Sequence, residues 1–158
     1  MSGKPDDVLS INLADVHLSD QRPKSRCDPD WFEAQARPLR QIKRLQRKYN
    51  CPVLIAGDIF NCYNASPALL NFALKELPDK AYGVMGQHDT IAHRIDSQDR
   101  TGYLVLVRAG KIQDLKVGEP VEIECKGAFL QLHGFAWNVP LKPLLKPNDL
   151  LLEIAVVH

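Results

Sequence analysis

Over its first ninety residues the chain alternates short apolar runs with longer stretches of helical spacing. "VLSINLADVHLS" begins as a strand and turns polar at Asp15. "DPDWFEAQARPLRQIKRLQRKY" then sets Trp31, Phe32, Leu39, Ile42 and Leu45 at broadly helical spacing behind Asp28 or Asp30 as the cap. "CPVLIAGDIFN" is a second apolar run with a polar end. "SPALLNFALKEL" predicts a helix with Ser66 as N-cap and Pro67 at its first position, and "KAYGVMG" is a third apolar run. This β-α-β-α-β order over residues 8–93 predicts strands joined by crossover helices. After Arg100, "GYLVLVRAGKIQDL", "VEIECKGAFLQLHGF" and "DLLLEIAVVH" read as strands separated by Gly, Pro and Asn. The expectation is one α/β domain over 1–158 whose second portion, 100–158, is a β-rich sheet with little helix.

The same pattern locates the chemistry. Each of the first three apolar runs ends in a polar cluster: "ADVH" with Asp15 and His17, "GDIFN" with Asp58 and Asn61, and "GQHD" with Gln87, His88 and Asp89. In an open α/β sheet the carboxyl ends of parallel strands share one edge, so the clusters are expected to converge in a single crevice. Alone, each reads more readily as a cap, a turn or a polar loop than as part of a site. Together they supply the mixed oxygen and nitrogen donors that suit divalent ions such as Mn, Fe or Zn.

Composition narrows the setting. A chain of 158 residues is long enough to hold a core without staples. A net charge of +1 argues against a grip on nucleic acid over the whole surface and leaves room only for a local basic groove. Cys27, Cys51, Cys62 and Cys125 are scattered without a C-x-x-C pair, so buried, reduced thiols are expected. No signal-peptide core and no window near the ~20 apolar residues of a membrane helix is present, and a soluble cytoplasmic protein with no membrane partner is expected.

The order D-x-H, then G-D with an asparagine three residues past the aspartate, then G-Q-H-D resembles the calcineurin-like metallophosphoesterases, whose usual third motif is G-N-H-[DE]. Within that superfamily "AGDIFNCYNASPALLNFALKELPDKAYGVMGQHD" looks most like the subgroup of DNA double-strand-break-repair exonucleases. The resemblance covers residues 8–93 and is traceable through "GFAWNVP" to "LLLEIAVVH". It implies a β-sandwich with flanking helices, four layers α/β/β/α in the complete family fold. It also implies two divalent ions, Mn first and Fe, Zn or Mg as alternatives, which activate a hydroxide for attack on a phosphate ester. Residue by residue, Asp15 and His17 would bind the first ion, Asp58 would bridge, and Gln87 and His158 would bind the second. His88 would face the substrate with Asp89 fixing its tautomer, and Asn61 would stand where the subgroup often has a phosphate-orienting histidine.

Two departures from the family pattern bear on activity. Gln87 replaces the commoner asparagine, and its extra methylene moves the amide oxygen outward by roughly one carbon–carbon bond, about 1.5 Å. The family's last G-x-H motif would fall beyond His158, so the chain reads as a piece of a longer enzyme; a natural short form or a degenerate relative would also lack that motif. The substrate expected from the resemblance is DNA or another phosphodiester, with a homodimer and an ATPase partner by analogy. A phosphomonoesterase or cyclic-nucleotide phosphodiesterase, and an inactive protein-binding scaffold, are the alternative readings.

Basic residues complete the set of candidates. Arg22, Lys24 and Arg26 follow "DVHLSD" and either reach substrate phosphates or decorate a solvated loop. "RQIKRLQRK" is expected to form the outer face of its helix. His93 reads as a loop histidine close to the third motif and His133 as a partly buried structural residue.

Overall fold

The structure, a computed structural model, describes residues 8–92, 100–141 and 151–158. Strands β1 (Ile11–Ala14), β2 (Val53–Ala56), β3 (Ala81–Val84) and β4 (Ile112–Asp114) form one sheet in sequential order, and every neighbouring pair is parallel. Parallel neighbours need crossovers, and three helices supply them: α1 (Trp31–Tyr49), α2 (Pro67–Glu76) and α3 (Gly102–Arg108). Asp30 caps α1 by accepting from the Glu33 N–H at 2.9 Å, and Ser66 caps α2 with Pro67 at its first turn. The two caps are those expected from sequence.

A second sheet holds β5 (Val121–Cys125), β6 (Ala128–Phe135) and β7 (Leu151–Val157), with β5 antiparallel and β7 parallel to β6. Lys126 and Gly127 turn the β5–β6 hairpin with φ of 52° and 77°, the pair of positive values that matches the twist of two-residue hairpins.

The period-two alternation of the strands sorts their side chains between two cores. Val53 and Ile55 of β2 face the helices, where they meet Leu39, Leu69, Leu77, Tyr103 and Leu106. Leu54 and Val84 face the other way, onto Leu130, Leu132 and Val156 of the second sheet. The layers therefore run helices, parallel sheet, second sheet among the described residues. This is a mixed α/β fold with a parallel sheet and a second sheet, as expected.

Two expectations are corrected. "GYLVLVR" is a helix, although its branched and aromatic residues favour a strand. Thr101 accepts from the Leu104 N–H, and burial falls on Tyr103 and Leu106, three apart, while Val105 is exposed. The crossover between parallel β3 and β4 thus overrides local propensity. The cysteines are free, but only Cys51 and Cys125 are buried; Cys27 and Cys62 are exposed. His133 is partly buried, with Nε2 3.0 Å from Gln131 Oε1, and His93 lies outside the described residues. Among the described residues no helix is long and apolar enough to cross a membrane.

Candidate metal centre

At the carboxyl ends of β1 and β2 the chains stay paired past the last strand residue. His17 N–H donates to Asp58 O at 2.9 Å, Leu18 N–H to Ile59 O at 2.8 Å, and Asn61 N–H to Leu18 O at 3.0 Å. This pairing holds the first two polar clusters side by side. It also forces unusual backbone conformations, because Asp15, His17 and Asp58 all adopt positive φ, at 52°, 48° and 50°. Non-glycine residues rarely do so, and such strain collects where side chains must be aimed for function.

The glycines of "GD" and "GQ" are required for a different reason. A Cβ on Gly57 would run into the His158 ring, and one on Gly86 into the main-chain nitrogen and carboxylate of Asp58. Only bare backbone lets the turns after β2 and β3 close on each other and on the end of β7.

Asp58 is the hub. Its carboxylate is buried, with its oxygens divided between two sides. Oδ1 accepts the His88 main-chain N–H at 2.9 Å and stands 3.4 Å from His158 Nε2. Oδ2 stands 3.9 Å from both His17 Nε2 and His88 Nε2. Two donor triads result, Asp15–Asp58–His158 and His17–Asp58–His88, each with its ligand atoms within 4.8 Å of one another. His17 Nε2 also lies 3.7 Å from Asp15 Oδ1, which joins the triads.

These separations are longer than hydrogen bonds and leave room for an ion. Two ligands each ~2.1 Å from one ion at 90–110° are about 3.0–3.4 Å apart. The spacings here, 3.4 to 3.9 Å, exceed a good hydrogen bond and approach that value.

The tautomers point the same way. His158 Nδ1 lies 2.9 Å from the Ala56 carbonyl and His88 Nδ1 3.2 Å from the Asn61 carbonyl. A carbonyl only accepts, so each Nδ1 carries a proton, and Nε2, the nitrogen that faces the Asp58 carboxylate, is the one placed to bind a metal. His17 adds a buried Nδ1 with no hydrogen-bond partner among the described residues. The donor set, two carboxylates and three imidazoles, suits first-row divalent metals.

The sequence expectations divide as follows. Asp15, His17, Asp58 and His158 come together, with Asp58 between them. His88, expected to face substrate only, also stands at ligand distance, and it packs edge-on to His17 with ring centroids 5.0 Å apart. Gln87 sits in the third-motif turn, where its main-chain carbonyl accepts from Thr90 Oγ1 at 2.7 Å. Asn61 is exposed, and its main-chain carbonyl lies 3.2 Å from His88 Nδ1.

Asp89 is a correction. The resemblance has it fixing the His88 tautomer, yet its fully buried carboxylate accepts the main-chain N–H groups of Phe60 at 3.0 Å and of Ile59 and Gly86 at 3.2 Å each. It ties the turn after β2 to the turn after β3. Burial pushes its pKa up to about 6, against the lowering effect of the three amides. Sequence reasoning also missed Trp137, whose ring centroid is 6.1 Å from that of His158. The signal available was an aromatic residue in the polar loop after β6.

A parallel α/β sheet whose strand ends gather histidine and carboxylate donors around one shared aspartate marks an α/β protein with a candidate metal site at that edge. Residues 11–153 match the family Metallophos, calcineurin-like phosphoesterase, and the chain belongs to that family. Metal-dependent phosphoester hydrolysis is the chemistry of the family, and the two triads are the candidate metal site of this member. Among solved structures, the protein of unknown function AQ665 from Aquifex aeolicus is similar at 18% identity and a TM-score of 0.41. That similarity covers 80% of this chain and 60% of the other, so the chain spans about 60% of that structure's length. No curated protein matches.

Proposed function

We propose that the chain is a phosphodiesterase acting on DNA, dependent on divalent metal and on Mn first. The observation that carries this reading is the division of the Asp58 oxygens between two triads at an open strand edge. His17 and His88 are 36% and 37% exposed there, so an extended backbone has access to them. The subgroup resemblance of "GDIFN" and "GQHD" supports DNA as the diester.

Bound ions would supply Lewis-acid charge and an activated hydroxide at this edge. The chain's own residues do the rest. Asp15, Asp58, His17 and His158 would hold the ions, and the Ala56 carbonyl keeps the His158 proton on Nδ1 so that Nε2 is free to bind. His88 is ordered by its own N–H on Asp58 and by the Asn61 carbonyl. Its Nε2 faces the same opening as His17, where a proton on it would reach the leaving oxygen of a phosphate ester.

The test is Mn titration combined with hydrolysis of bis(p-nitrophenyl) phosphate and of linear DNA. Wild type is expected to bind Mn and cleave both, Asp58→Ala to lose both properties, and His88→Ala to keep Mn while losing cleavage. Absence of Mn binding and of cleavage in wild type would overturn the reading in favour of a protein-binding scaffold. Loss of Mn in His88→Ala would make His88 a ligand first.

A further inference from the structure

On the His17 side of the candidate metal centre lies an open cavity of about 780 Å³. A space of this size lies within the range of small-molecule sites and has room for a nucleotide. His17 lines one end, the loop after β1 forms one wall through Arg22 and Lys24, and Asn61 and Asn64 stand on the wall contributed by the loop after β2.

The wall is held in place. Trp31, the first residue of α1, donates its indole N–H to the Ser19 carbonyl at 2.8 Å, and the Gln35 side chain takes the Ser19 N–H at 2.8 Å and returns a donor to the Ser19 carbonyl at 3.1 Å. Farther along, Arg22 Nη1 donates to the Asp28 carbonyl at 2.7 Å, which positions the guanidinium without neutralising it. Arg26, by contrast, pairs with the Asp28 carboxylate at 2.8 Å and lies over the Trp31 ring, so its charge is compensated.

Among the described residues neither Arg22 nor Lys24 forms an ion pair. The single carboxylate among the described lining residues, Asp20, accepts the Ser66 hydroxyl at 2.6 Å. The cavity therefore offers two cations that form no ion pair among the described residues, against one carboxylate, and two neutral amides next to a centre suited to a phosphate ester. Charge-assisted hydrogen bonds from such groups favour phosphate oxygens.

We propose that this cavity is an anion subsite in which Arg22 and Lys24 take a second phosphate group of the substrate, next to the scissile one. The site then selects esters that carry two phosphates, whether neighbours along a strand or one internal and one terminal. For the scissile phosphate this rests on the phosphodiesterase reading above.

The experiment compares thymidylyl-thymidine (TpT) with its 5′-phosphorylated form (pTpT), in binding by calorimetry and in turnover, with Mn present. Wild type is expected to bind pTpT at least about tenfold more tightly than TpT, as expected for a charge-assisted contact. In Arg22→Ala/Lys24→Ala the ratio is expected to fall near one. Arg22→Lys/Lys24→Arg, which keeps both charges, and Arg44→Ala/Arg47→Ala, on the outer face of α1, are expected to keep it. An equal ratio in wild type and the alanine pair overturns the proposal, as does an equal loss in the α1 control. If the alanine pair fails to fold, Lys24→Ala alone serves, with a partial loss expected and no loss overturning.

An intact binding ratio without turnover sinks the phosphodiesterase reading and leaves the subsite standing. A longer oligothymidylate that suffers the same loss in the alanine pair identifies a strand phosphate; loss confined to pTpT identifies a terminal one.

Discussion

Two groups of charged side chains in this fold are held in opposite ways. Between α1 and α2, Arg40 meets Glu76 through two parallel bonds of 3.0 Å and reaches Glu33 at 2.9 and 3.1 Å, so donors and acceptors match in number and distance. At the strand ends, Asp15, His17, Asp58, His88 and His158 stand 3.4–3.9 Å apart, and the backbones of Asp15, His17 and Asp58 are strained to keep them there. The first group is complete in the folded chain. The second is an arrangement of donors with room for a cation among them.

The most severe way to test this contrast is at the hub. Asp58→Ala is expected to lower phosphodiester turnover by at least ~100-fold, beyond the 10–100-fold typical of outer partners of a metal site. Mn affinity should fall with it in an equilibrium titration, while Glu76→Ala leaves Mn affinity unchanged. Next in size is Asp89→Ala, which strands three buried main-chain donors. A loss of about 3–5 kcal/mol in urea unfolding with metal chelated is expected. Asp89→Asn keeps an acceptor and should lose far less, and equal losses in the two variants would show that the amides are not what the carboxylate serves. Third, Mn at a hundred times its Kd should add about 2.7 kcal/mol to wild-type stability. In Asp58→Ala the gain should disappear, whereas removing the Arg40–Glu76 pair should leave it intact.

What the sequence discloses of this site follows from what the strand pattern encodes. Asp15, His17, Asp58 and His88 end successive apolar runs, and parallel topology alone brings such ends together, so their convergence was legible from spacing. The division of labour among them was not. His17 and His88 meet because both are tied to Asp58, His17 through the pairing that continues beyond β1 and β2 and His88 through its main-chain N–H, and neither tie has a periodic signal. Asp89 looks like a partner for His88 because it is adjacent in sequence, yet adjacent residues in a turn point apart, and three amides left open by the closing turns claim it. α3 escapes a reading from sequence for a related reason. Its branched and aromatic residues suit a strand, and only the need to cross from β3 to β4 with Tyr103 and Leu106 inward makes it a helix.

The smallest expected effect contrasts two buried carboxylates through pH. The Arg40 guanidinium holds the Glu76 carboxyl below its ordinary value of 4.5, chiefly by its hydrogen bonds. A depressed folded-state pKa contributes stability that is present above the unfolded value and is lost as pH falls through the folded one. Asp89 has the reverse sign. With its pKa raised from 3.8 to about 6 by burial, it contributes stability that is complete below 3.8 and is lost as pH rises through 6. Stability of the metal-free protein between pH 4 and 6 is thus the difference of two opposed slopes. Glu76→Gln should remove the acid-side loss and make the protein relatively more stable toward low pH, while Asp89→Asn should remove the decline toward pH 6. Urea midpoints measured across that range for wild type and both variants check the signs. If both substitutions tilt the profile in the same direction, the two carboxylates do not differ as their partners require.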